Sequence, residues 1–283
     1  MQQALELSIC TSGSRLKLGL AARRAPGGTA PPAPQVPGVI RPATDCGHSR
    51  PDPAAGKFHS LSVKEPNQER LLFSSLDRLL KQAGVGLGDI SGVCAVRGPG
   101  RFTGIRIGLT LAGSLELLLG CRARGVTVFE VLALAAAPLL PAGRSAPGTD
   151  RGKCRPVPRG GKLAVLLHAF KEEYFVQFFR ASDGGRTPKP LGAPVWLPEA
   201  GARDLLASAE PDLCVADAEE KPEIYSLAPA GCPKAPPAIS MVTPQAVLAA
   251  GEIFGGPLEP LYLKPAKYEL DARAKAEARG RKK

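Results

Sequence analysis

The chain reads as an α/β protein on three observations. Helix-like and strand-like apolar periods alternate from residue 67 onward, two Pro/Gly-rich stretches part the chain into three ordered blocks, and 44% hydrophobic with 22% charged residues suits a packed core. In the first block Leu5, Leu7 and Ile9, then Leu16, Leu18 and Leu20, alternate with other residues on either side of Thr11-Ser12-Gly13-Ser14, the pattern of a β-hairpin. Residues 26–53 then hold eight prolines and four glycines. Neither helix nor ladder hydrogen bonding survives that composition, so 26–57 reads as a flexible insertion.

In the second block Leu72, Leu76, Leu79, Leu80 and Ala83 recur at helical spacing and predict a helix over 67–83, with Asn67 to cap it and Gly84 to end it in a left-handed conformation. Residues 93–96 read as a short buried strand, Gly98-Pro99-Gly100 as a turn, and 103–119 as an apolar-rich helix. A short strand over 126–129 and a helix over 130–137 follow. Residues 138–160 again concentrate five prolines and four glycines, which sets a linker at 138–161 between an N-terminal lobe, 1–137, and a C-terminal lobe, 162–265. The third block opens with strands at 163–167 and 174–179 around Lys171-Glu172-Glu173. It continues through ordered runs at 204–209 and 213–216 and closes with a helix over 245–254, before a basic tail at 266–283.

Composition narrows the function classes. Aromatics at 5% disfavour a surface that reads single-stranded nucleic acid by stacking. No uninterrupted apolar run reaches the roughly 18 to 20 residues of a bilayer span. The best candidate, 131–140, is broken by Pro138, and the first ten residues lack a basic-then-apolar leader, so a soluble cytoplasmic protein without membrane contact is expected. The seven cysteines are dispersed and contain no C-x-x-C pair, which argues for reduced thiols rather than a disulfide frame or a zinc knuckle. His48, His59 and His168 show no paired spacing, so neither a metal site nor a metalloenzyme is expected. The net charge of +11 sits in 15–57, 141–162 and 264–283, leaving −4 for the rest. Those stretches are either solvated loops or arms that hold a polyanion such as tRNA.

The loop from Gly98 to Gly104 lies between a strand and a helix. Gly98 and Gly100 could turn backbone amides toward an anion, with Thr103 as N-cap; the alternative is a tight β-to-α connection. No Lys-Ser or Lys-Thr follows, so it is not a P-loop. Gly104, Gly108 and Ala112 fall four apart on one helix face, and each glycine costs roughly 0.5 to 1 kcal/mol relative to alanine. Close approach of a neighbouring helix offsets that cost, whether the helix over 67–83, a partner's helix, or both. With Leu72 and Leu76, that face is the candidate partner interface. Arg106 could meet a phosphate or a carboxylate across it, or lie on the surface with its stem packed. No nucleophile sits in a G-x-S-x-G elbow, and no catalytic residue is assigned.

The segment Arg97-Gly98-Pro99-Gly100-Arg101-Phe102-Thr103-Gly104-Ile105-Arg106-Ile107-Gly108 resembles the Gly-Pro-Gly-Ser-Phe-Thr-Gly loop, arginine and small-residue helix of the bacterial tRNA threonylcarbamoyladenosine biosynthesis family TsaB, also called YeaZ, with Arg101 for serine. Glu69-Arg70-Leu71-Leu72 is similar to that family's His-Ser-Glu-Arg-Leu-Leu helix start, with Asn67 at the histidine position. Glu173-Tyr174 and Pro260-Leu261-Tyr262-Leu263-Lys264-Pro265 resemble its Glu-Val-Tyr and closing segments. The resemblance implies a two-lobed actin-like, Hsp70-like fold of ribonuclease-H type. It also implies a non-catalytic subunit that binds and stabilises a TsaD-like transferase, with a TsaE-like ATPase and tRNA reached through the complex. ATP and a metal ion would belong to those partners, no cofactor to this chain, and a homodimer could form without them. Ser8 stands where the family carries an aspartate, and His168-Ala169-Phe170 where it commonly shows Asp-Ala-Arg. The resemblance implies that both acids are Mg²⁺ ligands in relatives, so their loss argues against nucleotide hydrolysis by this chain. The alternatives are a stand-alone enzyme of the same superfold, whether nucleotidase, kinase or glycoprotease-like peptidase, and a plain tRNA-binding module.

Overall fold

The computed structural model describes residues 4–22, 58–65, 67–140, 161–181 and 187–264. The insertion at 26–57, most of the 138–161 linker and the 266–283 tail lie outside the described residues. The expected hairpin forms from β1 (Leu5–Cys10) and β2 (Arg15–Ala22), in a register that pairs Leu7 with Leu20 and Ile9 with Leu18. β3 (His59–Lys64) extends it antiparallel, while β4 (Ile90–Val96) and β5 (Arg122–Val126) add in parallel, giving the order β3-β2-β1-β4-β5 of ribonuclease-H-type sheets.

Period-two alternation assigns the faces of this sheet. Leu7, Ile9, Val93 and Ala95 join the core under α1 (Gln68–Ala83) and α2 (Phe102–Leu119). Cys10, Cys94 and Val96 turn to the opposite face, under α3 (Val128–Ala136) and α5 (Pro244–Phe254). The second sheet is built from β6 (Lys162–Phe170), β7 (Glu173–Ala181), β8 (Pro188–Pro190), β9 (Val195–Pro198) and β10 (Leu213–Ala216), in the order β10-β6-β7-β8 with β9 also on β7. Leu163, Val165, Phe175 and Phe179 share the α3–α5 core, whereas Ala164, Leu166, Tyr174 and Val176 pack under α4 (Glu199–Ala209).

Several elements depart from expectation. The strand expected over 126–129 is β5, which ends at Val126; Thr127 then caps α3, its hydroxyl accepting from Glu130 N and its own N–H donating to Glu130. Asn67 occupies the cap position of α1 without a side-chain cap bond, while Gly84 does end that helix at φ 70°. Thr103 is not an N-cap, because α2 opens at Phe102 behind Arg101. The last helix, assigned by sequence to the 162–265 lobe, packs on the first sheet, where Gly251 lets its backbone approach Cys94. Among the described residues one helix, Phe102–Leu119, is long and apolar enough to span a bilayer by length and composition, against the expectation from uninterrupted runs. Its Gly104, Ile105, Gly108, Ala112 and Leu115 are buried within its own lobe.

Candidate functional site

The Gly-Pro-Gly loop leaves β4 and is stitched to three other elements. Arg101 N–H donates to Ser12 O at 2.7 Å, Val128 N–H to Gly98 O at 2.8 Å, and Leu261 N–H to Arg97 O at 2.8 Å. Gly98 has φ 121°, and a Cβ there would lie 2.7 Å from Leu261 O; one at Gly100 would lie 2.3 Å from Ser12 O. Both glycines thus let the chain's own backbone come close, at Leu261 and at Ser12.

The glycine face is likewise used internally. A Cβ at Gly104 would sit 2.0 Å from Thr11 O and one at Gly108 2.3 Å from Thr11 Oγ1, and Ala112 is fully buried. The neighbour that approaches is the end of β1, not a helix. Leu72 and Leu76 are also core residues, 3% and 5% exposed. Of the six residues expected to meet a partner, only Arg106 is open to solvent. The solvent side of the same two helices instead shows Phe73 on α1 and Phe102, Leu117 and Leu118 on α2, each more than half exposed.

Arg106 lies two residues beyond Gly104, about 200° around the helix. Its guanidinium stacks 3.9 Å from the Phe102 ring centroid, its Nε donates to Tyr262 Oη at 3.0 Å, and the Phe102 and Tyr262 rings are 4.9 Å apart. Lys264, just beyond, pairs with Glu173. Through Tyr262 and Lys264 the closing segment thereby meets both Arg106 with Phe102 on α2 and Glu173 on β7, residues distant in sequence. Beside it a cleft of about 230 Å³ opens between the starts of α1 and α2, lined by Thr11, Gln68, Glu69, Arg101, Phe102, Thr103, Gly104 and Ile107. Gln68 Nε2 donates to Gly13 O at 2.8 Å, and Thr11 Oγ1 and Gln68 Oε1 are buried without a partner among the described residues. The cleft offers polar anchors but no paired nucleophile and base.

Between the lobes, the β1–β2 turn is occupied from within. Ser14 N–H and Oγ both donate to Glu220 Oε1, at 2.8 and 2.9 Å, and Gly13 abuts the same carboxylate. Lys17 binds Glu219 and donates to Val242 O at 2.7 Å. Ser8 Oγ donates to Gly19 O at 3.4 Å, and His168 Nε2 lies 2.8 Å from Lys171 O. The donors of this turn, Ser14 and Lys17, are thus engaged by the carboxylates of Glu220 and Glu219. Among the described residues no three His, Cys, Asp or Glu side chains converge on a metal position.

Asp217 lies at the rim of this turn with Oδ1 unpartnered. Burial pushes its carboxyl from 3.8 up to about 7, against Lys17 and with Glu220 and Glu219. A folded-state pKa above the unfolded one means that the proton stabilises the fold. That contribution is complete below the unfolded value and is lost as pH rises toward 7. Asp217→Asn should flatten this part of the profile, measured as urea midpoints from about pH 4 to about pH 8. A variant as pH-dependent as the parent would place the titration elsewhere.

Sheet order, crossovers and lobes define the class: a two-lobed actin-like α/β fold of ribonuclease-H type. Within that class the chain is similar to YeaZ from Pseudomonas aeruginosa, at TM-score 0.59 and 17% identity, over 92% of this chain and 100% of that one. A second solved structure, a protein from the same organism described as similar to peptidase YeaZ, matches at TM-score 0.59 and 16% identity, over 93% and 100% of the two chains. At such identities the likeness establishes the fold. In sequence, residues 64–147 match the family model of TsaD, tRNA N6-adenosine threonylcarbamoyltransferase. No curated protein matches the chain in sequence.

Proposed function

We propose that the chain is a TsaB-type subunit of a tRNA threonylcarbamoyladenosine-forming complex, binding and stabilising a TsaD-like transferase without catalysing the transfer itself. The observation that carries this reading is the YeaZ fold over the whole length of that relative, combined with a TsaD-family match over 64–147, the stretch that forms α1, β4, α2, β5 and α3. The transferase would dock on the solvent side of α1 and α2, anchored by Phe73, Phe102 and Arg106. Arginine and aromatic side chains of this kind dominate interface energetics, and an exposed apolar display is otherwise uncommon on a monomer. In this reading a TsaE-like ATPase, ATP, a metal ion and tRNA belong to the assembled complex in the cytoplasm, and a second copy of the chain covers the same helices when the transferase is absent.

Co-expression with a TsaD-like protein followed by light scattering tests it. The parent should form a heteromeric complex, and Phe73→Glu with Arg106→Glu should weaken it by about 100-fold or more while the isolated chain keeps its circular dichroism. Undiminished affinity in that variant removes the proposed surface; threonylcarbamoyl transfer by the isolated chain removes the partner role.

A further inference from the structure

Five cysteines lie among the described residues, and three of them are engaged with oxygen alone: Cys10 with Ser12 Oγ, Cys94 with Val247 O and Cys121 with Leu115 O. The other two face each other, and Cys232 Sγ also donates to Pro211 O at 3.3 Å and Pro233 O at 3.5 Å. Cys214 Sγ and Cys232 Sγ are 3.4 Å apart, the first fully buried and the second half-buried. Cys214 sits in β10, the edge strand of the second sheet. The open side of that strand is covered by the segment that carries Cys232: Cys214 N–H donates to Pro233 O at 2.9 Å, Ala235 N–H donates to Cys214 O at 2.8 Å, and Cys214 bridges to Lys234 in parallel. Backbone bonds on both sides of Cys214 therefore hold the two thiols together. Cys232 itself closes a turn, its N–H donating to Pro229 O at 3.1 Å, outside any ladder.

We propose that Cys214 and Cys232 are a dithiol that closes reversibly to a disulfide, pinning the 229–235 segment onto the edge of β10. From 3.4 Å, the sulfurs must approach by a little over 1 Å to reach the bonded distance of about 2.05 Å, a motion two side-chain rotations can share. A small-molecule disulfide such as oxidised glutathione is the oxidant. Cys232, the more exposed thiol, loses its proton and attacks one glutathione sulfur, releasing the first glutathione thiolate and leaving a mixed disulfide. Cys214 Sγ then attacks Cys232 Sγ, and its proton goes to the departing second glutathione. Two protein thiols and one glutathione disulfide thus become one protein disulfide and two glutathione thiols. Burial, with Cys232 alongside, pushes the Cys214 thiol well above its ordinary value, consistent with Cys232 reacting first.

The test uses the full chain equilibrated with reduced and oxidised glutathione, alkylated with iodoacetamide and cut after glutamate. Glu219, Glu220 and Glu223 lie between the two cysteines, so their peptides stay joined only through the new bond. The expected result is a linked Cys214–Cys232 peptide pair lighter by two hydrogens, separated by dithiothreitol, with Cys10, Cys94 and Cys121 still alkylated once unfolded. In Cys232→Ser, at a half-buried position, Cys214 should remain fully alkylatable after the same treatment. Alkylation of both Cys214 and Cys232 across the glutathione series overturns the proposal. So does recovery of Cys232 only as a glutathione adduct or bonded to a different cysteine.

Discussion

Gly104→Leu should destabilise the isolated chain by about 3 kcal/mol or more, far beyond a local effect on association. The added Cβ would stand 2.0 Å from Thr11 O, a backbone atom at the end of β1 that has no rotamer through which to withdraw. Either α2 lifts from the sheet or β1 bends, and both loosen the core that holds Ile9, Ile105 and Ala112. Gly108 makes a useful comparison. Its Cβ would meet Thr11 Oγ1 at 2.3 Å, a side-chain atom with no hydrogen-bond partner to lose, and alanine returns about 0.5 to 1 kcal/mol of helix propensity. Urea unfolding should therefore rank Gly104→Ala as clearly more damaging than Gly108→Ala. If Gly104→Ala proves neutral or stabilising, α2 does not lie this close to β1, and the glycine face would again be open to a partner.

That comparison also marks where the sequence was legible. The four-residue spacing of Gly104, Gly108 and Ala112 reports that something comes close to one helix face, and it does; the spacing carries no information about what comes close. The same holds for Leu72 and Leu76, whose period marks a buried stripe whether the cover is internal or foreign. Hairpin, α1, β4 and α2 were readable because their apolar periods are local. β5 was misplaced because Arg122 and Arg124 interrupt its pattern, and β3 was missed although Leu61 and Val63 alternate with serines. The Thr127-x-x-Glu130 capping box was also present in the sequence and fixes where α3 begins. What no local pattern could supply is the meeting of Arg106 with Tyr262, of Lys264 with Glu173, or of Cys214 with Cys232. These contacts depend on how two sheets are wound, and only the assembled fold brings them together.

Arg124→Leu is the second large effect, expected to cost about 3 to 5 kcal/mol. The guanidinium is 6% exposed and donates to Glu6 Oε2 at 2.8 Å, itself 8% exposed, and to Glu252 Oε1 at 2.7 Å, which is 55% exposed. Burial alone would lower its proton affinity, yet the Glu252 hydrogen bond and the Glu6 charge outweigh it and hold the group above its ordinary value. Leucine would fill much of the volume but take the Arg124 cation away from the Glu6 carboxylate in a core strand. The damage is thus mostly the charge left behind, and Glu6→Leu added to Arg124→Leu should recover most of it, a coupling that a double-mutant cycle reads directly. Glu252→Ala removes only the half-exposed arm and should cost about 1 kcal/mol or less. That arm nevertheless ties α5 to β5, and the chain leaving α5 runs to Leu261 and Tyr262, which hold the Gly-Pro-Gly loop and Arg106. A small stability loss in Glu252→Ala should therefore accompany a measurable drop in affinity for the proposed TsaD-like partner, read by titration calorimetry against the parent. If Arg124→Leu costs no more than Glu252→Ala, or the double variant is no more stable than Arg124→Leu alone, the buried Arg124–Glu6 pair is not what makes the loss large.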